Sequence, residues 1–209
     1  MQEYLKDIVY HTQQLGFIDL IKIVGDETKT RIAALSEDKS VVVDAKFKNP
    51  HPDFMGTFGM PNLGKLKTLL NLQEYKEDAK LTITRRQTGE PDGITFENKT
   101  SDFKNNYRFM ASEIVNDKLK TAKIKPVTWH VEFEPTNAAI QRLKWQMSAN
   151  AEEANFQAKT ENGDLKFFFG DHSSHSGNFV FHPGVNGALK RAWSWPAKQV
   201  VSIMDLTGD

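Results

Sequence analysis

Phe58-Gly59-Met60-Pro61-Asn62-Leu63-Gly64-Lys65-Leu66-Lys67-Thr68-Leu69-Leu70 decides the fold, because the second half of the chain repeats its plan. There, Trp193-Ser194-Trp195-Pro196-Ala197-Lys198-Gln199-Val200-Val201-Ser202-Ile203-Met204 again runs aromatic, small, large apolar, proline, and then an apolar-periodic segment with lysine on its polar side. Proline suits the first turn of a helix, where its missing N–H would have no partner. Both stretches are therefore expected to be strand, sharp turn and helix. Pro61 and Pro196 stand 135 residues apart, and Leu5–Tyr10 aligns with Ile140–Trp145 at the same separation. Gly25-Asp26 against Gly163-Asp164, and Val41–Val43 against Phe179–Phe181, match at 138 residues. A slip of that size fits within loops of a duplicated unit.

Working outward, the 209 residues suit two domains of roughly 100 residues each. Apolar residues make up 39% and aromatics 11%, enough for two modest cores. The absence of cysteine excludes disulfides and thiolate metal sites. The N-terminus Met1-Gln2-Glu3-Tyr4-Leu5-Lys6-Asp7 is charged, unlike a signal peptide, and no apolar run approaches the roughly 20 residues of a membrane span. A soluble, cytoplasmic protein without a membrane partner is expected. Basic and acidic residues both number 27, so the net charge is zero. A simple nucleic-acid coater would be basic overall, so any contact with DNA requires positive charge gathered onto one surface.

Taken in order, residues 2–15 place Leu5, Ile8, Val9, Thr12 and Leu15 at helical spacing, and Gly16 stops the helix. Strands are expected at 17–24, 29–35 and 40–47, joined by turns at Gly25-Asp26 and Ser36–Lys39. The prolines of 49–53 keep that segment out of a sheet. The Phe54–Met60 strand and the Pro61 helix follow, then strands at 79–86, 93–97 and 105–111. The domain scheme is therefore a first copy over 1–111, a lysine-rich linker over 112–126 and a second copy over 127–209. In the second copy, strands are expected at 127–133, 154–160, 165–170, 178–182 and 188–195, with helices opening after Glu134-Pro135-Thr136-Asn137 and at Pro196. Only 13 residues follow Pro196, so the second copy is expected to lack the last strands of the first, as in an incomplete reading frame.

A duplicated unit of helix, antiparallel meander, helix and hairpin resembles the DNA polymerase sliding clamps, most closely those of T-even-type phages. The likeness is carried by Phe54–Leu72, by Ala79–Phe109 with its Asn106-Tyr107-Arg108-Phe109, and by Glu134–Gly170 with its Ala138–Leu143 helix and Asn162-Gly163-Asp164 turn. It implies an α+β DNA-clamp fold, with antiparallel sheets outside and helices lining the inner face of a ring. It further implies a head-to-tail homotrimer that encircles double-stranded DNA without regard to sequence, tethers a replicative DNA polymerase and is placed by an ATP-driven clamp loader. In that setting Lys65, Lys67, Arg142, Lys144 and Lys198 are the candidates to face DNA, with Lys6 weaker because Glu3 and Asp7 share its helix. A ring needs few such charges, since each neutralised phosphate adds friction against sliding. The bland reading of each is a solvated cation on an amphipathic helix.

Tyr10 and Trp145 occupy matching places opposite the apolar stripes of their helices, and packing against a neighbouring element is the expected role. His172-Ser173-Ser174-His175 has a spacing usable by a metal, but it lies in a turn with Asp171 as its one adjacent carboxylate. No Gly-x-Ser-x-Gly elbow and no Gly-x-x-x-x-Gly-Lys-Ser/Thr phosphate loop is present. No catalytic constellation, metal site or cofactor is expected. The rival reading is a duplicated structural or binding module, such as a virion or assembly component, whose sheets simply associate.

Overall fold

The computed structural model describes residues 1–120, 127–173 and 175–208. The chain divides into two compact units, Met1–Lys123 and Ile124–Asp209. The first runs α1 (Gln2–His11), β1 (Leu20–Gly25), β2 (Thr30–Leu35), β3 (Val42–Lys46), β4 (Gly56–Pro61) and α2 (Leu63–Asn71). It continues with β5 (Lys80–Arg85), β6 (Pro91–Glu97), β7 (Lys104–Arg108) and α3 (Ser112–Lys118). The second runs β8 (Val131–Glu132), α4 (Asn137–Ala149), β9 (Asn155–Glu161), β10 (Asp164–Phe169), β11 (Gly177–His182), β12 (Asn186–Gly187), β13 (Trp193–Pro196) and α5 (Ala197–Met204).

The four-stranded sheets have the orders β3-β2-β1-β4 and β11-β10-β9-β13, with every pairing antiparallel. Each sheet is thus a meander whose first strand takes a fourth strand on its free edge, and that fourth strand leads into a helix. The hairpin turns set the register. Asp26 accepts hydrogen bonds from the backbone N–H of Thr28 and Lys29 at 2.8 and 3.0 Å. The corresponding turn of the second unit uses Asn162 and Gly163, both with positive φ (54° and 84°), a backbone twist that matches the flanking strands.

Both prolines sit one step earlier than the sequence reading placed them. Pro61 and Pro196 are the last residues of β4 and β13, opposite Leu20 and Asn155. Edge strands tolerate proline because one side needs no donor. Pro196 also caps α5, whereas α2 is entered through Asn62 in the left-handed region. The 188–195 segment is a strand only from Trp193, and the alternating 127–133 stretch pairs only at Val131–Glu132, against the two residues of β12. Of the expected linker 112–126, the first part is helix α3 with Val115 fully buried, and residues 121–126 lie outside the described residues. α3 reaches β4 because residue 59 is glycine: a Cβ there would lie 2.8 Å from Val115 Cγ2.

Each unit buries the apolar stripes of its two long helices. In the first these are Leu5, Ile8 and Val9 of α1 and Leu63, Leu66, Leu69 and Leu70 of α2. In the second, Ala139 and Leu143 of α4 and Ala197 and Val201 of α5 join the sheet residues Phe156, Leu165, Phe167, Phe169, Phe179 and Phe181 in one cluster. Phe167 lies 4.3 Å, centroid to centroid, from both Phe156 and Phe181.

The units differ at the edge of β4 and β13. In the first, Met110 bridges Gly59 through N–H to O distances of 2.9 and 2.8 Å, and Phe109 stacks on Phe58 at 4.5 Å. Phe58 and Met60 are 1% and 0% exposed, whereas their counterparts Trp193 and Trp195 are 39% and 47% exposed. They border a cavity of about 480 Å³ walled also by Trp129, Phe156, Phe167 and Met204. Among the described residues, no helix is long and apolar enough to cross a membrane.

The loop before β4 carries a pH-dependent contribution to stability. His51 is buried between Tyr4 and Phe54, with both ring centroids at 4.6 Å, and its Nδ1 accepts from the Asp53 backbone N–H at 3.3 Å. Burial, reinforced by the N-terminal ammonium and opposed by Asp53, holds its pKa below the ordinary histidine value. The unfolded chain therefore takes up the proton first as pH falls. The contribution of neutral His51 is present above the ordinary value of about 6.5 and is lost progressively below it. Denaturation of the wild type should show stability falling from pH 7.5 toward 5.5, with a smaller fall in His51→Gln; identical slopes would assign the effect elsewhere.

Candidate nucleic-acid interface

The sequence-expected DNA-facing residues all lie on the two long helices of their units. Asp19 ties α2 to its unit: its carbonyl and carboxylate accept from the N–H groups of Leu63 and Gly64, each at 3.3 Å. That places a carboxylate at the positive end of the helix. Tyr107 donates its hydroxyl to the carbonyl of Pro61, fixing the strand-to-helix passage from the β7 side. With Leu63, Leu66, Leu69 and Leu70 turned inward, Lys65 is exposed and Lys67 half-buried.

In the second unit, Thr136 caps α4 by accepting from the Ala139 N–H at 3.1 Å. Leu143 is fully buried, so its neighbours Arg142 and Lys144 fall on either side of the buried stripe. Arg142 donates to the carbonyl of Val180 at 3.1 Å, with its guanidinium 5.2 Å from the centroid of Phe179. Lys144 forms an ion pair with Asp205 at 2.8 Å. Lys198 is exposed on α5. On α1, Lys6 is paired with Glu3 at 3.0 Å, and His11 with Asp7 at the same distance. The candidates thus separate physically. Among the described residues, Lys65, Lys67 and Lys198 make no ion pair, while Arg142, Lys144 and Lys6 have partners within the chain.

The decisive electrostatic feature is where acids are missing. Helices α2, α4 and α5 contain none of the 27 acidic residues, yet they carry Lys65, Lys67, Arg142, Lys144 and Lys198. On the strands and their turns, cations and acids pair instead: Arg31 with Asp44, Arg86 and Arg108 with Asp92, Lys104 with Glu97, and Lys166 with Glu161. Charge in this neutral chain is therefore sorted by element, with paired charges on the sheets, acid-free α2, α4 and α5, and acids on α1 and α3.

Trp145 is 68% exposed on α4 instead of packing against a neighbour, because the α4 stripe that meets the sheet core is formed by Ala139 and Leu143. Tyr10 is half-buried, with its ring 5.0 Å from that of His11. The cavity beside β13 was not anticipated. Its available signal was the pair Trp193 and Trp195, on strand positions whose counterparts Phe58 and Met60 are buried. Among the described residues no group of three or more His, Cys, Asp or Glu is arranged to hold a metal ion.

No known protein-family profile matches the chain, and no curated protein sequence matches it. Solved structures do. The chain is similar to PCNA from Thermococcus kodakaraensis, with a TM-score of 0.61 and 12% identity, over 100% of this chain and 84% of that one. It is also similar to a putative DNA polymerase III beta subunit from Eubacterium rectale, with a TM-score of 0.64 and 12% identity. That match covers 100% of this chain and 55% of the other. The fold is the DNA-clamp fold, an α+β arrangement of antiparallel sheets and helices matched over the whole chain.

Proposed function

We propose that the chain is the subunit of a sliding clamp of the T-even phage type. Three two-domain copies close head to tail into a ring around duplex DNA, with α1, α2, α4 and α5 toward the hole and the sheets outside. The ring tethers a replicative DNA polymerase and is placed by an ATP-driven loader, in the cytoplasm of an infected cell. The role is that of a scaffold, without catalysis or cofactor. The two domains are the repeated copies 1–111 and 127–209, and α3 (Ser112–Lys118), within the segment 112–126 that joins them, packs on the first.

One observation carries this reading: acid-free α2, α4 and α5 in a chain of zero net charge. A protein that binds DNA by charge alone loses affinity steeply with salt, because every neutralised phosphate releases counterions. A ring needs the opposite balance, a weakly positive wall with retention supplied by topology. Lys65, Lys67 and Lys198, which make no ion pair among the described residues, supply loose, sequence-independent contacts, and the internal partners of Arg142 and Lys144 keep the total low. The names of the two structural neighbours, PCNA and a DNA polymerase III beta subunit, agree with this reading.

Absolute mass by light scattering over a concentration series, at low and moderate salt, tests the ring. Three copies of the 23.7 kDa chain give about 71 kDa. A species of that mass that remains on nicked circular duplex and leaves when the circle is cut supports the clamp. A strict monomer that binds no DNA at low salt overturns it in favour of a structural or binding module.

A further inference from the structure

We infer that the exposed face of α4 receives an unpaired nucleotide, with Trp145 as its stacking platform; this rests on the DNA-encircling reading. Trp145 is 68% exposed at the centre of a helix face that also presents Gln141, Arg142 and Ser148, one turn to either side. An isolated indole among polar neighbours is a poor seat for a protein partner, which would want a continuous apolar core around it. It is a good seat for a π-faced polyanion. The face holds no acid, and Arg142 is fixed beside it by the Val180 carbonyl and the Phe179 ring. Leu143 locks the helix to the core, so the platform is rigid.

The occupant follows from geometry. Bases in an intact duplex stack on one another and offer no face to a side chain, whereas an unpaired base does, and aromatic residues bind such bases without regard to sequence. Trp145 therefore adds selectivity for DNA with a single-stranded extension, which lysines alone would not supply. The indole N–H, like the Arg142 guanidinium a donor only, also suits phosphate or base acceptors.

The experiment is fluorescence anisotropy with the full chain at low salt, using end-labelled duplex and the same duplex carrying a single-stranded extension. Wild type should prefer the extended DNA. Trp145→Ala should lose that preference, a drop of roughly 5- to 150-fold for one stacked base, with duplex binding unchanged. Trp145→Phe should retain most of it, because a phenyl ring still stacks. If Trp145→Ala binds extended DNA as tightly as wild type, or loses both DNAs equally, the stacking role is overturned. Duplex binding without any preference in wild type overturns the stacking alone. Binding of neither DNA at low salt removes the DNA-encircling reading as well.

Discussion

Replacing Lys65, Lys67 and Lys198 together with glutamate is expected to abolish loading onto nicked circular duplex at physiological salt, while leaving the mass of the assembly unchanged. These three side chains make no ion pair among the described residues and lie on helices without a single acid, so reversal adds like-charge repulsion toward phosphate without breaking an ion pair among those residues. Each lysine near a phosphate contributes about 0.9 to the slope of log affinity against log salt. Three reversals per subunit should therefore flatten the salt dependence as well as weaken binding. The choice of residues matters. Lys144→Glu would place two carboxylates where a 2.8 Å ion pair with Asp205 stands, and a loss of function there would be confounded with damage to α5 packing. The triple variant is read by gel filtration on closed and cut circles, with light scattering of the free protein. Normal loading would mean that the helices do not face DNA; aggregation would mean that the lysines are structural.

The repeat was legible because hydrophobic periodicity survives divergence. Ile21 and Ile23 and their counterparts Phe156 and Ala158 differ in kind, yet all are buried, and both sheets keep the same strand order. What escaped depends on contacts between residues far apart in sequence. α3 was hidden by the lysines of 112–126, because one fully buried valine, Val115, and the 7% exposed Leu119 hold it down. Lys22 reads as a strand lysine, but it is buried, and its Nζ reaches the Leu119 carbonyl at 3.3 Å and Asn116 at 3.4 Å. It thus meets the negative end of α3. On the candidate interface, helical spacing located the cations. It could not say that Arg142 lies against β11 or that Lys144 is spent on Asp205, since neither partner is near in sequence.

Leu143→Ala is expected to be the most damaging single truncation on the candidate interface, and its damage should stay in the second unit. Leu143 is fully buried between α4 and a sheet face built largely of phenylalanine. Large-to-small changes at such sites cost about 2–5 kcal/mol, and rigid aromatic walls collapse poorly into the space left behind. The chain provides its own reporters: Trp129, Trp145, Trp193 and Trp195 all belong to the second unit, and Tyr4, Tyr10, Tyr75 and Tyr107 to the first. The tryptophan-monitored urea midpoint should fall by on the order of 1–3 M, with the tyrosine-monitored transition in place. Equal shifts in both signals would mean that the units unfold as one; no shift would mean that the core refills the space. The neighbouring Arg142→Ala removes an exposed hydrogen bond to a carbonyl and should cost at most about 0.5–1.5 kcal/mol. Adjacent positions on one helix therefore divide the labour, Leu143 fixing where α4 lies and Arg142 and Trp145 setting what that face can hold.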